Sequence, residues 1–209
     1  MVAGIVTDLT GWLDRVSSHW WFLLIIVVIA FLDSVIPVVP SETCVIIGGV
    51  AASQGTQSLL IVIATAALGA FLGDNAAFLL GVRASDRFHR RAERRPRFAS
   101  KMAWAHQQIN ERGGLLLITA RFIPGGRTAL TLSCGITRQR RAWFMRWVLV
   151  ATVIWASYAA LLGRIGGAAF KDNHTKAFLL AFGLAIATNI VIEVTRHYLK
   201  SHRATAATR

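Results

Sequence analysis

The stretch ARFIPGGRTALTLSCG, residues 120–135, decides how this chain is read. It places Arg121 and Arg127 on either side of Pro124-Gly125-Gly126, between apolar runs. A charged side chain at mid-bilayer costs roughly 2.5–3.5 kcal/mol on insertion scales. Pro-Gly-Gly cannot continue a helix. The segment must therefore turn, and its arginines must face something polar. The rest of the chain supplies the apolar setting: 209 residues, 55% hydrophobic, mean hydropathy +0.52. Windows 20–36, 59–82, 143–162 and 177–199 approach the roughly 20 apolar residues that cross a bilayer. The expectation is an all-α polytopic membrane protein, with one compact membrane domain over 19–199.

The net charge of +13 would suggest nucleic acid in a soluble protein. Here it concentrates between hydrophobic runs, where basic segments mark the cytoplasmic side. No nucleic-acid motif accompanies it, so nucleic acid is excluded and anionic membrane lipid is the secondary partner. Residues 83–112 hold nine Lys/Arg against three Asp/Glu. Residues 138–146 and the tail 200–209 are also basic, which places all three on the cytoplasmic side. The segment 113–137 then begins and ends on one side and is read as a re-entrant hairpin, with Pro124, Gly125 and Gly126 at its turn. Such backbone is tolerated at membrane depth only where protein buries it or it lines a wet cavity.

Working backwards, 59–82 runs from outside to inside, and 19–35 is expected to cross from inside to outside. Residues 36–55 contain Pro37, Pro40, Gly48 and Gly49. This is too broken for a span, and a second re-entrant hairpin is expected there from the outer side. Two opposed hairpins, each followed by a span, make an inverted repeat, the architecture of alternating access. Ile-Pro recurs at 36–37 and 123–124, with Gly48 and Gly135 each eleven residues beyond the proline. The reading runs 143–162 outward, 163–176 as an outer loop and 177–199 back to a cytoplasmic C-terminus. Residues 1–18 are expected to form an interfacial amphipathic helix beginning on the cytoplasmic side. Asp8 and Asp14 argue against a signal peptide. A further amphipathic helix, carrying Trp104, is expected over 98–109.

Five ionisable residues fall in the embedded segments: Asp33, Glu42, Asp74, Arg121 and Arg127. They must face each other, water or a ligand. Mutual neutralisation is one account. Against it, fixed pairs need no broken hairpins, whereas a translocation site does. A guanidinium fork binds phosphate bidentately and stays charged at any working pH, and amides at Gly125 and Gly126 would add donors. The acids suggest protons, since burial and a neighbouring arginine pull a carboxyl pKa in opposite directions. Asp74 follows Gly69 and Gly73, small residues that permit close helix packing. Bracing a hairpin and moving protons weigh equally for it. Glu193 with Arg196 and His197 reads as an ordinary helix pair.

FLDSVIPVVPSE (31–42), GDNAAFLLGVRAS (73–85) and RFIPGGRTALTLSCGITR (121–138) together resemble the DedA family, also described by the VTT or SNARE-associated domain. The likeness runs over about 20–199. It implies bacterial inner-membrane proteins with two opposed re-entrant hairpins. It also implies recycling of undecaprenyl phosphate from outer to inner leaflet, driven by proton-motive force. The family arginines fall on Arg121 and Arg127, and its acids on Asp33, Glu42 and Asp74. Asp33 stands where many members carry glutamate.

The sequence therefore points to a polyprenyl phosphate flippase using protons. A phospholipid scramblase or small-ion antiporter is the nearest alternative, and a lipid phosphatase or a purely structural protein lies further off. None of the six histidines falls in either expected hairpin, and no metal-ligand spacing or cofactor motif is present. Cys44 and Cys134 read as packing residues. Oligomeric state is left open, a homo-oligomer included.

Overall fold

The computed structural model describes residues 19–36, 40–123 and 125–169. The segment 1–18, Pro37, Pro124, the return span 177–199 with Glu193, and the tail 200–209 lie outside the described residues, as do the side chains of Phe98 and Trp104. Among the described residues the regular elements are helices. They are α1 (Trp21–Val35), α2 (Ser41–Ser53), α3 (Leu59–Glu93), α4 (Pro96–Thr119), a 3₁₀ turn (Ala120–Phe122), α5 (Gly126–Ile136) and α6 (Arg141–Ala169).

Each break follows from local chemistry. Ile36, preceding Pro37, is extended at φ −121°, as a residue before proline must be, and α1 stops there. Ile123, preceding Pro124, is likewise extended at φ −107°, and ends the 3₁₀ turn. Gly125 follows in the left-handed region at φ +68° and starts α5. Pro96 occupies the first turn of α4, where a missing N–H costs nothing.

α3 and α6 are the two described helices long and apolar enough to cross a membrane. α1 has 15 residues and so is only about 22 Å long, short of a hydrocarbon core of about 30 Å. Its buried residues Phe22, Ile26, Ala30 and Ser34 recur every fourth position, and Leu24, Val28 and Leu32 line an exposed apolar stripe.

The contacts fix how the helices run. Ser41 bonds Asp33, and Ile26 lies against Gly48, so α2 folds back along α1. Gln57 Nε2 donates to the His19 carbonyl at 3.2 Å, so α1 starts at the end of the molecule where α2 finishes and α3 begins. α1 is thus the first arm of a helical hairpin and α2 the second. The second hairpin is built alike. α4 runs in from the arginine-rich end, the chain turns at 123–125, and α5 returns to that end, where the Ile136 carbonyl accepts the Ser85 hydroxyl at 2.8 Å.

Four expectations change here. Residues 163–169, expected in an outer loop, continue α6 to Ala169. The first hairpin occupies 19–55, not 36–55, because the run 19–35 is its leading arm. Residue 19 lies at the end opposite Arg83–Arg112, not beside it. The basic stretch 83–112 is not a loop: α3 continues through it to Glu93, and α4 starts at Pro96 and carries on past Gly113 to Thr119.

One packing motif occurs twice. A Cβ on Gly49 would overlap the Ala160 carbonyl, and one on Gly163 would overlap the Ile46 carbonyl. At the other end, Gly135 faces the Phe78 carbonyl and Gly81 faces that of Leu132 in the same way. α2 on α6 therefore repeats α5 on α3, with Gly49 matching Gly135. The sequence spacing had paired Gly48 with Gly135; Gly48 instead faces Val62 and Ile26. Gly69 and Gly73 let α3 approach the α1 backbone at Val27 and Phe31, as their small size suggested.

Two apolar clusters fill the interior. One joins Phe22, Ile26, Val45, Val62 and Trp155; the other joins Phe78, Ile109, Leu117, Phe144 and Val148. Phe78 and Phe144 stack with centroids 4.4 Å apart. Along α3 the first cluster ends at Ala70 and the second starts at Phe78; Asp74 sits between them.

Candidate functional site

Between the two clusters lies a buried polar layer where the hairpin tips meet. The 3₁₀ turn supplies Arg121, the first turn of α5 supplies Arg127 and Thr128, the end of α1 supplies Asp33 and Ser34, and the start of α2 supplies Ser41 and Glu42. Asp74 comes from the middle of α3. The breaks hold these groups together because each places a polar residue within a few positions of a hairpin tip.

Arg121 Nη1 donates to Asp74 Oδ2 at 2.6 Å, and both side chains are 2% exposed. The Arg121 guanidinium lies 5.3 Å from the centroid of the Trp155 ring, a cation–π arrangement. Arg127 Nη2 lies 3.2 Å from Asp33 Oδ2 and also donates to the Asp33 carbonyl. Arg127 Nε is 3.7 Å from Asp74 Oδ1, a charge contact too long for a hydrogen bond. Ser41 donates to Asp33 Oδ2 at 2.5 Å, and Thr128 donates to the Ser34 carbonyl at 3.2 Å. Arg127 and Asp33 retain some access, at 11% and 17% exposure. Glu42 lies within electrostatic reach of Asp33, Arg127 and Arg121, beside Trp155. It forms no ion pair within 4.0 Å among the described residues.

These pairs do not exhaust the arginines. Arg121 Nε and Nη2 and Arg127 Nε are buried N–H groups without a hydrogen-bond partner, and Asp74 Oδ1 is a buried acceptor without one. A buried donor left unmade costs about 1–3 kcal/mol, more when charged. Arg127 also sits in the first turn of α5, where the helix dipole disfavours a cation. The layer therefore leaves three arginine N–H donors and one carboxylate oxygen unmade.

All five ionisable residues expected in the membrane come together here. The pairing makes Asp74 the brace common to both arginines. Gly125 forms the turn, but the Gly126 amide is not a free donor: it bonds the Ile123 carbonyl at 2.9 Å. Pro40 immediately precedes α2. Ser34, Ser41, Thr128 and Trp155 were not singled out by sequence. Ser41 could have been, as the serine of Pro-Ser-Glu beside Glu42; Trp155 stands in an apolar run and reads as core. Among the described residues no cluster of His, Cys, Asp or Glu could hold a metal ion. His89 instead bonds the Ser85 carbonyl on the arginine-rich extension of α3.

A family model, the VTT domain, matches residues 39–165, which include α2, most of α6 and every site residue except Asp33 and Ser34. The chain belongs to the VTT-domain (DedA) family. Among this family's proteins, the chain is similar to inner membrane protein YohD of Escherichia coli (strain K12), 29% identical over 141 residues, 65% of this chain and 72% of that one. It is 25% identical over 141 residues to undecaprenyl phosphate transporter A of Staphylococcus aureus, covering 65% of this chain and 70% of that one. It is also similar to a protein of Lactococcus lactis subsp. lactis named alkaline phosphatase-like, 21% identical over 193 residues, 84% of this chain and 89% of that one. No solved structure matches the chain significantly. Membership of the VTT-domain family makes this a membrane protein, and among the described residues α1, α3 and α6 carry large exposed apolar side chains.

Proposed function

We propose that this protein carries a polyprenyl phosphate, undecaprenyl phosphate or a close relative, from the outer to the inner leaflet of a bacterial cytoplasmic membrane, with protons as the coupling ion. The observation that carries the reading is the pair of buried arginines with unmade N–H donors where two hairpin tips meet. In this reading the hairpins are re-entrant. The α1–α2 hairpin opens to the outside and the α4–α5 hairpin to the cytoplasm, where the basic ends of α3 and α4 lie. The repeated α2–α6 and α5–α3 packing supports an inverted repeat, which offers one midplane site to either side in turn. The relative named as an undecaprenyl phosphate transporter supports the choice of lipid.

The charges suggest how protons enter. With every group ionised, three carboxylates outweigh two guanidiniums by one negative charge. A phosphate arriving at Arg127, the more accessible arginine, competes with Asp33 and Asp74 for its donors. A carboxyl that loses its arginine accepts a proton more readily. Asp33, paired with Arg127, is placed to do this, Glu42 lies within electrostatic reach of the same arginine, and Asp74 keeps Arg121 oriented. The prenyl tail stays in lipid throughout.

The test is leaflet-specific detection of undecaprenyl phosphate in vesicles holding the full chain. Wild type should equilibrate or concentrate it across the bilayer, and Arg121→Ala and Arg127→Ala should not; equal transport by all three would overturn the reading. One observation favours a second reading, a lipid phosphatase: the Ser41 hydroxyl, a potential nucleophile, is bonded to a carboxylate beside two arginines. Release of inorganic phosphate from the lipid by wild type, abolished in Ser41→Ala, would favour it.

A further inference from the structure

Five arginines gather away from the midplane layer. Arg87, Arg90, Arg91, Arg94 and Arg95, at the end of α3 and the turn into α4, line a concavity of about 370 Å³. Small-molecule sites run to about 300–1,000 Å³. Arg87, Arg91 and Arg94 share one helix face by their spacing, and Arg95 immediately precedes α4. Among the described residues no carboxylate lines the concavity. The nearest acid on the preceding turn, Asp86, is held by Arg138 at 2.5 Å, on the far side of a linkage that joins α3 to the α5–α6 connection. Glu93 is exposed on α3 and is not part of the lining. Like charges so close repel one another, and an anion among them would relieve that repulsion.

Its depth indicates the source of those anions. Arg87 follows Asp74 by 13 residues and Arg91 by 17, so they lie about 20 and 25 Å further along α3. The hydrocarbon half-thickness is about 15 Å, and the headgroup layer ends at about 20–22 Å. If Asp74 is at the midplane, as the proposed function has it, Arg87 lies at the outer edge of the cytoplasmic headgroup layer, Arg90 and Arg91 lie a few ångströms beyond it, within a side chain's reach of headgroup phosphates, and Arg94 and Arg95 lie further out.

We infer that this arginine concavity is a second anion site, which binds the headgroup of a lipid carrying more than one negative charge, such as a phosphate monoester, in the cytoplasmic leaflet. Several guanidiniums lining one concavity favour a dianion over a singly charged diester. The site rests on the proposed midplane position of Asp74 for its depth, but not on transport for its chemistry.

The experiment uses the full chain in phosphatidylcholine nanodiscs with a trace of photoactivatable phosphatidic acid, and reads the labelled peptide by mass spectrometry. Parallel arms replace the probe with a photoactivatable phosphatidylglycerol or add millimolar inorganic phosphate as competitor. Phosphatidic acid should label the segment 83–97 more strongly than phosphatidylglycerol does, and inorganic phosphate should displace little of it. Replacing three exposed arginines, in Arg87→Gln/Arg90→Gln/Arg94→Gln, should weaken binding there on the order of a hundred-fold, at about one kcal/mol for each basic residue near the surface. Equal labelling of that segment in the variant would overturn the inference. So would equal labelling by the two lipids, or full displacement by inorganic phosphate, which would make it a site for a soluble anion. Arg121→Met separates the two proposals: it should abolish transport and leave labelling at 83–97 intact. Labelling that persists while wild type shows no transport would sink the proposed function and leave this site standing.

Discussion

Asp74→Asn tests the brace directly. The substitution keeps the side chain's size, removes its charge and turns one oxygen into a donor. In the native layer Asp74 holds Arg121 at 2.6 Å and lies 3.7 Å from Arg127, with almost no solvent to take its place. Removing one partner of a buried pair leaves the other charge uncompensated, a loss of about 3–5 kcal/mol. For a chain of this length that is a drop in melting temperature of roughly 6–20 °C. Arg121→Met should cost a comparable amount by stranding the carboxylate. The double variant Asp74→Asn/Arg121→Met strands neither charge and should be more stable than the sum of the single losses by at least about 1 kcal/mol. The assay is thermal unfolding of the full chain in detergent or nanodiscs, followed by tryptophan fluorescence. Trp155 beside Arg121 is one of the seven tryptophans that contribute the signal. Strict additivity, or an Asp74→Asn protein within about 0.5 kcal/mol of wild type, would refute the reasoning: the pair would then contribute nothing measurable.

Three further outcomes follow from the same geometry. Arg127→Lys keeps the charge but loses the planar fork that contacts both Asp33 and Asp74, so lipid transport should fall by roughly ten-fold or more while the fold survives; a wild-type rate would refute the bidentate role. Gly49→Ala and Gly135→Ala each drive a Cβ into a backbone carbonyl of the facing helix and should each cost about 1–3 kcal/mol in thermal unfolding, equal burdens at the two ends of a repeated motif; a harmless substitution at either would deny the close approach. Gly125→Ala places a Cβ in the left-handed region at φ +68° with open space around it, so its cost should be purely conformational, about 1–2 kcal/mol; no loss in thermal unfolding would refute the left-handed turn.

Much of the site was legible in the chain because charges in apolar runs are expensive and therefore informative. Asp33, Glu42, Asp74, Arg121 and Arg127 stood out for that reason, and the structure draws all five into one layer. The turn at 123–125 was legible because proline forces the residue before it out of the helical region and glycine accepts the left-handed conformation that Gly125 adopts. The role of α1 was not. A run of apolar residues says that a segment seeks lipid or core, but not whether it crosses, and α1 is shortened to 15 residues by a break at Ile36. Which end it starts from is settled by a contact to Gln57, 38 residues away, that no local pattern encodes. Charge bias likewise gives the side of a basic stretch and not its conformation: arginine is a good helix former, so α3 runs on to Glu93. The register of the glycines was missed by one position because the matching unit is a helix–helix contact, and only the facing carbonyls of Ala160 and Phe78 identify it. The Gly126 amide was expected to be free; the turn it closes uses it.

The most direct test of the central claim is a structure of the full chain in lipid nanodiscs loaded with a polyprenyl phosphate. The account predicts headgroup density within hydrogen-bonding distance of Arg127 and of the unpartnered nitrogens of Arg121, between the two hairpin tips. Density confined to the membrane surfaces, with the Arg121–Asp74 and Arg127–Asp33 pairs unchanged and closed to lipid, would contradict it.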